Sequence, residues 1–258
     1  MSSKLGKSSS LRSQSGFSIF EGALVVVFIA IVIATVMAAM SLHENGKVKM
    51  QMSQFKQYKA AYDAFKTEYK AVPGDYNMAS KKWDSVPNGD GNGRINEDAA
   101  TVDSINKEYE MVKFFQHLYS SKYIYENFYN SNLLNIGYPT IKLDPSKGML
   151  AYGSEALASF EDLQISKSIK RFNVALGLNV SQPDLGNGDK FNDFIGTSSP
   201  AIYAKIDKKI DDGNPRDGVF IVHQAKASSQ GSCLDAVDGK YFSTNEKPAC
   251  MALYILDE

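Results

Sequence analysis

The chain is poor in the residues that most catalytic and metal-binding sites require. Its 258 residues include two cysteines and three histidines, and their spacing gives neither a Cys-x-x-Cys pair nor a zinc ligand set. A Gly-x-Ser-x-Gly elbow and a phosphate-binding Gly-x-x-x-x-Gly-Lys loop are also absent. The formal net charge of −1 argues against a broad basic surface for nucleic acid. These absences favour a protein that is not an enzyme.

A long apolar stretch near the start of the chain carries no charge. The 21 residues from Gly22 to Leu42 would form a helix of about 31 Å, which matches the hydrocarbon core of a bilayer. Lys4, Lys7 and Arg12 precede it without any acidic residue, and such an imbalance keeps the leading segment in the cytoplasm. The sequence therefore predicts one membrane span with the C-terminal body outside the cytoplasm.

An acidic residue stands at the very start of this apolar stretch. An ionisable group at the edge of a membrane span costs on the order of 2.5 kcal/mol or more, so Glu21 needs a compensating partner. The apolar stretch contains no basic residue that could supply one. We therefore expect a partner from outside the apolar stretch.

The hexapeptide Gly16-Phe17-Ser18-Ile19-Phe20-Glu21 resembles the processing site of type IV pilins and of the pseudopilins of type II secretion. The resemblance implies cleavage after Gly16 by a prepilin peptidase and N-methylation of the new terminal residue, Phe17. It also implies that Glu21 neutralises the terminal amine of a neighbouring subunit during assembly. The implied partners are other copies of the chain or related pilins, the peptidase and an inner-membrane assembly platform.

Four segments follow from these features. Residues 1–16 are a cytoplasmic leader, 17–42 a transmembrane and assembly helix, 43–72 an amphipathic continuation of that helix, and 73–258 an extracytoplasmic domain. The continuation is predicted from apolar or aromatic residues that recur every three or four positions, and Pro73-Gly74-Asp75 ends it. The residues of this stripe are Val48, Met52, Phe55, Tyr58, Tyr62, Phe65 and Tyr69.

The domain is predicted to be α+β, with an antiparallel sheet packed on the long helix as in pilins. Helical periodicity predicts a second helix from about Val102 to Tyr123, and Ser199-Pro200 begins a short one that ends at Asp211-Asp212-Gly213. The predicted strands are Thr140–Leu143, Met149–Tyr152, Val219–His223 and Met251–Leu256.

The two cysteines, Cys233 and Cys250, lie 17 positions apart near the C-terminal end. In an extracytoplasmic domain this spacing favours a disulfide, and two free buried thiols are the alternative. Pilins close their C-terminal sheet region with a comparable disulfide loop, so the resemblance favours the disulfide as well.

One loop has the pattern of a calcium-binding site. Its oxygen-bearing residues alternate, a glycine follows for the turn, and Ile95 supplies an apolar anchor. The candidate ligands are Asn88, Asp90, Asn92, Arg94 through its backbone carbonyl, and Asn96. Ala99 stands where a bidentate glutamate should complete the site, and Glu97, Asp98 or Asp103 are the possible substitutes. A simple Asn-Gly turn cluster is the alternative, and calcium is therefore the one possible cofactor.

The sequence thus predicts a structural subunit of a type IV pilus or of a type II secretion filament. It would be made in the inner membrane with its domain in the periplasm, and would then enter a periplasmic or cell-surface filament. One alternative is a minor tip pilin that adheres or captures DNA. The other is a signal-anchored extracytoplasmic enzyme or binding protein that does not polymerise.

Overall fold

The computed structural model of the protein describes residues 18–95, 110–129, 131, 134–153, 173–181, 195–225, 230–236 and 238–257. The chain divides into two compact units, Met1–Asn45 and Gly46–Glu258. Helix α1, Ile19–Tyr69, contributes residues to both units. The boundary falls at Asn45-Gly46, within an uninterrupted helix.

In the first unit, α1 is an apolar helix whose side chains are exposed. Ser18 caps the helix because its Oγ accepts the Phe20 N–H at 3.3 Å, and Glu21 lies in the first turn. The helix is long and apolar enough to cross a membrane, as predicted. Its exposed large apolar side chains are Ile19, Phe20, Leu24, Val25, Val26, Val27, Phe28, Ile29, Ile31, Val32, Ile33, Val36, Met37, Met40 and Leu42.

In the second unit, the same helix places its predicted aromatic stripe in the core. Val48, Phe55, Tyr58, Tyr62 and Phe65 are buried, and Met52 and Tyr69 pack against them at the margin. The prediction of an amphipathic continuation is thus confirmed. The helix ends where Lys70 adopts a left-handed conformation (φ 54°), three residues before Pro73.

The core is completed by an antiparallel four-stranded sheet. The strands are β1 (Lys147–Tyr152), β2 (Val174–Ser181), β3 (Phe220–Gln224) and β4 (Cys250–Asp257), in the spatial order β1-β2-β4-β3. Phe55 of α1 stacks on Tyr254 of β4 with ring centroids 4.7 Å apart, and it also contacts Phe220 of β3. Burial of these rings holds the sheet against the helix.

Three shorter helices complete the described elements: α2 (Ala79–Lys82), α3 (Glu110–Ser120) and α4 (Pro200–Ile210). On α3, Phe115 packs edge-on against Tyr58 of α1, and Phe114 stacks on Tyr62. The predicted start of α4 is confirmed, with Ser199 at the N-cap position and Pro200 at the first turn. The second predicted helix is confirmed as α3 over Glu110–Ser120, and residues 102–109 lie outside the described part of the chain.

The prediction of a strand at Thr140–Leu143 was wrong. This segment forms one isolated bridge, between Thr140 and Gly148. Its backbone is otherwise hydrogen-bonded by two buried glutamines of α1. Gln54 donates to the Thr140 carbonyl at 2.8 Å, and the Lys142 N–H donates to Gln51 Oε1 at 2.7 Å. These side chains take the place of a neighbouring strand. Strand β2, by contrast, is present in the structure but was not predicted from the sequence.

Two contacts fasten the C-terminal strand β4. The predicted disulfide joins Cys233 to Cys250, the first residue of β4, with Cα atoms 5.0 Å apart. At the opposite end, Asp257 accepts hydrogen bonds from Tyr62 Oη at 2.9 Å and from Lys66 Nζ at 2.5 Å, both on α1. The last strand is thereby fixed at both of its ends.

Candidate metal centre around Asp75

The calcium-like loop is folded around a carboxylate that lies outside it in sequence. Asp75 is 2% exposed, and its Oδ1 accepts the N–H groups of Gly91 at 2.7 Å and Asn92 at 2.9 Å. Its Oδ2 accepts the Gly93 N–H at 2.9 Å. Three successive backbone donors therefore point at one side chain, and such charge-assisted hydrogen bonds are among the strongest in proteins.

Close backbone contacts explain two glycines of this region. Gly74 has a φ of 91°, and a Cβ there would lie 2.5 Å from the Glu110 carbonyl oxygen. A Cβ on Gly89 would lie 2.2 Å from the backbone carbon of Asp75. Side chains at these two positions would push the loop away from Asp75 and from α3.

A second acid missing from the predicted ligand set comes from helix α3. Glu110 is buried at the start of α3, and its Oε1 accepts the Asp90 N–H at 2.9 Å. The carboxylates of Asp75, Asp90 and Glu110 each offer an oxygen within 4.8 Å of the others. Glu110 therefore adds to the loop a carboxylate that the predicted ligand set did not contain, from a position 11 residues beyond Ala99 in the chain.

The predicted ligands have different positions in the structure. Asp90 belongs to the carboxylate cluster, whereas Asn88 Oδ1 accepts the Ser80 N–H at 2.9 Å and so points to α2. Asn92 donates from its Nδ2 to the Asp90 carboxylate, and its Oδ1 accepts the Arg94 N–H. Asn96 lies outside the described residues. The predicted apolar anchor, Ile95, is fully buried.

A buried histidine fixes the two ends of the segment that contains Asp75. The Gly74 N–H donates to His117 Nδ1 at 2.9 Å, and His117 Nε2 lies 2.9 Å from the Pro87 carbonyl. Both contacts are satisfied only when the imidazole is neutral with its proton on Nε2. Burial lowers the pKa of His117 to about 4, the Pro87 carbonyl opposes this shift, and the Lys113 cation adds to it.

The carboxylate cluster has an unfavourable charge balance. Burial is the main cause that raises the pKa of Asp75, and the neighbouring Asp90 and Glu110 carboxylates raise it further. The N–H groups of Gly93 and Gly91 act in the opposite direction. Lys113 lies close by and donates from Nζ to the Asn88 carbonyl at 2.7 Å. A divalent cation held by these oxygens would offset the repulsion.

Oxygen donors of this kind suit a hard cation. Carboxylate oxygens are ligands that calcium prefers, and magnesium would demand a stricter octahedral geometry. A second acidic group, Asp207, Asp211 and Asp212, also has its oxygens within 4.8 Å of one another. In that loop, the Asp212 and Asn214 side chains each accept the N–H two residues ahead, as expected for a turn.

The remaining predicted residues lie elsewhere. Glu21 is exposed in the first turn of α1, in the other unit of the chain, and Gly16 and Phe17 are outside the described residues. The Cys233–Cys250 disulfide is buried beside β4. The sequence analysis missed Asp75 and Glu110 as members of the site. For Asp75 the available signal was its place in the turn Pro73-Gly74-Asp75, and for Glu110 there was none.

Comparison with known proteins gives no match: no protein-family model, no curated protein and no solved structure is similar to this chain at a significant level.

Replacing Asp75 with alanine should destabilise the protein. Three backbone N–H groups would lose their acceptor, and with each such loss costing about 1 kcal/mol or more, we expect a total of about 3 kcal/mol. Urea unfolding of the purified protein in detergent measures this. Asp84→Ala is the matched control because Asp84 is exposed, and it should change the stability by less than about 0.5 kcal/mol. Equal stabilities of the two variants would contradict the central role of Asp75.

The calcium hypothesis predicts that calcium stabilises the protein through Glu110. At a calcium concentration ten times the dissociation constant, binding adds about 1.4 kcal/mol and raises the melting temperature by a few degrees. We expect this rise in the wild type and in Glu246→Gln, whose side chain is exposed, but not in Glu110→Gln. Thermal unfolding in chelator and in about 10 mM CaCl₂, a concentration suited to a weak extracellular site, provides the measurement. If calcium did not raise the melting temperature of the wild type, the alternative of a simple turn cluster would hold.

The His117 bridge predicts a loss of stability in acid. The folded pKa of about 4 lies below the ordinary value, so the stabilisation is complete above about pH 6.5 and is lost as the pH falls toward 4. Between pH 7 and pH 5 this histidine alone should cost about 2 kcal/mol. Urea unfolding at both pH values should show a smaller decrease for His117→Gln than for the wild type. The decreases would be equal if His117 did not carry the effect.

Proposed function

We propose that this protein is a type IV pilin-like subunit that is inserted into the inner membrane, processed after Gly16 and polymerised through α1. The observation that carries the proposal is Glu21 in the first turn of an apolar helix that is long enough to span a membrane. Among the described residues, Glu21 makes no ion pair. The hexapeptide that ends in Glu21 supplies the rest of the argument.

The physical reason for polymerisation is the need to neutralise Glu21. Cleavage after Gly16 would create an ammonium group at Phe17, four residues before Glu21. In a stack of parallel helices, the ammonium of one subunit can lie beside the carboxylate of its neighbour, where the low dielectric strengthens their attraction. The apolar surface of α1 would pass from lipid into a filament core without meeting water.

The second unit supports this role as a compact body for a filament subunit. The stripe of α1 is buried against the sheet and α3, and a disulfide fastens β4, as suits an extracytoplasmic compartment. Calcium at the Asp75 cluster would stabilise the body outside the cell. We propose the role that a pilus subunit and a secretion pseudopilin share.

Replacement of Glu21 tests the proposal. We expect Glu21→Gln to be cleaved after Gly16 like the wild type but to yield at least tenfold less filament, because the neighbour's terminal ammonium loses its counter-charge. Glu44→Gln, beyond the apolar stretch of the same helix, is the matched control. Both variants would be co-expressed with a prepilin peptidase and an assembly platform, and filaments would be sheared and quantified.

Two outcomes would contradict the proposal. A wild type that keeps residues 1–16 in the presence of an active peptidase, and that remains monomeric in detergent, would be a signal-anchored protein. Normal filament yield from Glu21→Gln would show that assembly does not depend on this carboxylate.

A further inference from the structure

Three aromatic side chains meet between the end of α1 and α2. The ring centroids of Tyr69, Tyr76 and Trp83 lie 5.3 to 5.9 Å from one another, and the rings are inclined to each other by 54° to 64°. None of the three side chains is fully buried. They therefore offer aromatic surface to a ligand at one place in the second unit.

A cation from the chain itself already lies on one of these rings. Nζ of Lys82, the last residue of α2, is 4.4 Å from the ring centroid of Tyr69, within the range of a cation–π contact. The Lys82 side chain is exposed, and its ammonium has no ion-pair partner among the described residues. In contrast, Lys66 over the Tyr62 ring also donates to Asp257 at 2.5 Å. Lys82 can thus leave its ring without breaking an ion pair.

A carboxylate lies beside the same ring. The Tyr123 hydroxyl donates to the Glu68 carboxylate, and this hydrogen bond is the main cause that lowers the pKa of Glu68. A hydrogen bond from the Tyr69 hydroxyl and the positive charge of Lys82 act in the same direction, and burial opposes them. A cation over the Tyr69 ring therefore has a negative charge close to it as well as the electron-rich ring face.

We propose that the Tyr69 ring and the Glu68 carboxylate form a binding site for a quaternary ammonium group such as choline, which displaces Lys82. The ammonium of a lysine is compact and strongly hydrated, so it gains little over a half-exposed ring. A quaternary ammonium carries the same charge under a layer of methyl groups and gives up less hydration on the aromatic surface. Tyr76 and Trp83 extend that surface beside Tyr69. The site goes beyond the proposed function and does not depend on it.

The test titrates the full chain in a non-ionic detergent with choline chloride against sodium chloride of equal ionic strength. Trp83 is the only tryptophan of the chain, and its ring lies 5.3 Å from that of Tyr69, so its fluorescence reports on the site. We expect a saturable change with choline. The neutral alcohol in which a carbon atom replaces the choline nitrogen should give none, since it has the same shape without the charge.

Variants separate the parts of the site. Lys82→Ala removes the competing cation and should tighten choline binding by about threefold, whereas Lys81→Ala, the neighbouring exposed lysine, should bind like the wild type. Glu68→Gln should weaken binding by about threefold, and Tyr69→Leu should abolish it. Glu68 and Lys82 are exposed, so their variants should melt at the temperature of the wild type and remain informative if Tyr69→Leu does not fold.

Phosphocholine, the soluble headgroup of choline lipids, is titrated in the same way. Tighter binding than choline would assign the site to a lipid headgroup, and weaker binding would assign it to the free cation. The inference would be overturned by equal binding of the neutral alcohol, or by unchanged choline affinity in both Lys82→Ala and Glu68→Gln. It would also be overturned if neither the wild type nor Lys82→Ala gave a saturable signal. Each of these results would leave the proposed function intact, because none of them involves assembly.

Discussion

The structure depends on one helix that serves two environments. Up to Leu42, α1 exposes an unbroken apolar surface, and the exposure of such a surface to water is unfavourable. From Val48 the same helix buries an aromatic stripe in a folded domain. The domain could not close its core without Phe55 and Tyr58, which contact the sheet and α3. In our proposal, the apolar part carries the folded body first in the membrane and then in a filament.

Within the body, the region around Asp75 shows how polar groups are organised without regular structure. Asp75 collects three backbone N–H groups, and His117 fixes the backbone on both sides of it. Glu110 and Asp90 then bring two more carboxylates near the first. The arrangement is costly in isolation because the charges are alike and largely buried. A cation would relieve that cost, which gives the calcium hypothesis its physical content.

Local patterns in the sequence predicted α1, α4 and three of the four strands, because their apolar periodicity and end signals lie within a few residues. The carboxylate cluster could be predicted only in part. Asp75 and Glu110 reach it through the tertiary fold, and no local pattern links positions 35 apart. The strand predicted at Thr140–Leu143 failed for a similar reason: Gln51 and Gln54 of α1 bind its backbone, and such long-range side-chain contacts leave no trace in the segment itself.

The most direct test of the account is the intact mass of the protein purified from membranes that contain an active prepilin peptidase. We predict a chain that begins at Phe17 and carries one additional methyl group, because our proposal takes the hexapeptide at residues 16–21, with the basic leader before it, as a prepilin-type processing site. A mass that still includes residues 1–16 would contradict the account. In that case α1 would be a permanent anchor, and Glu21 would need another explanation.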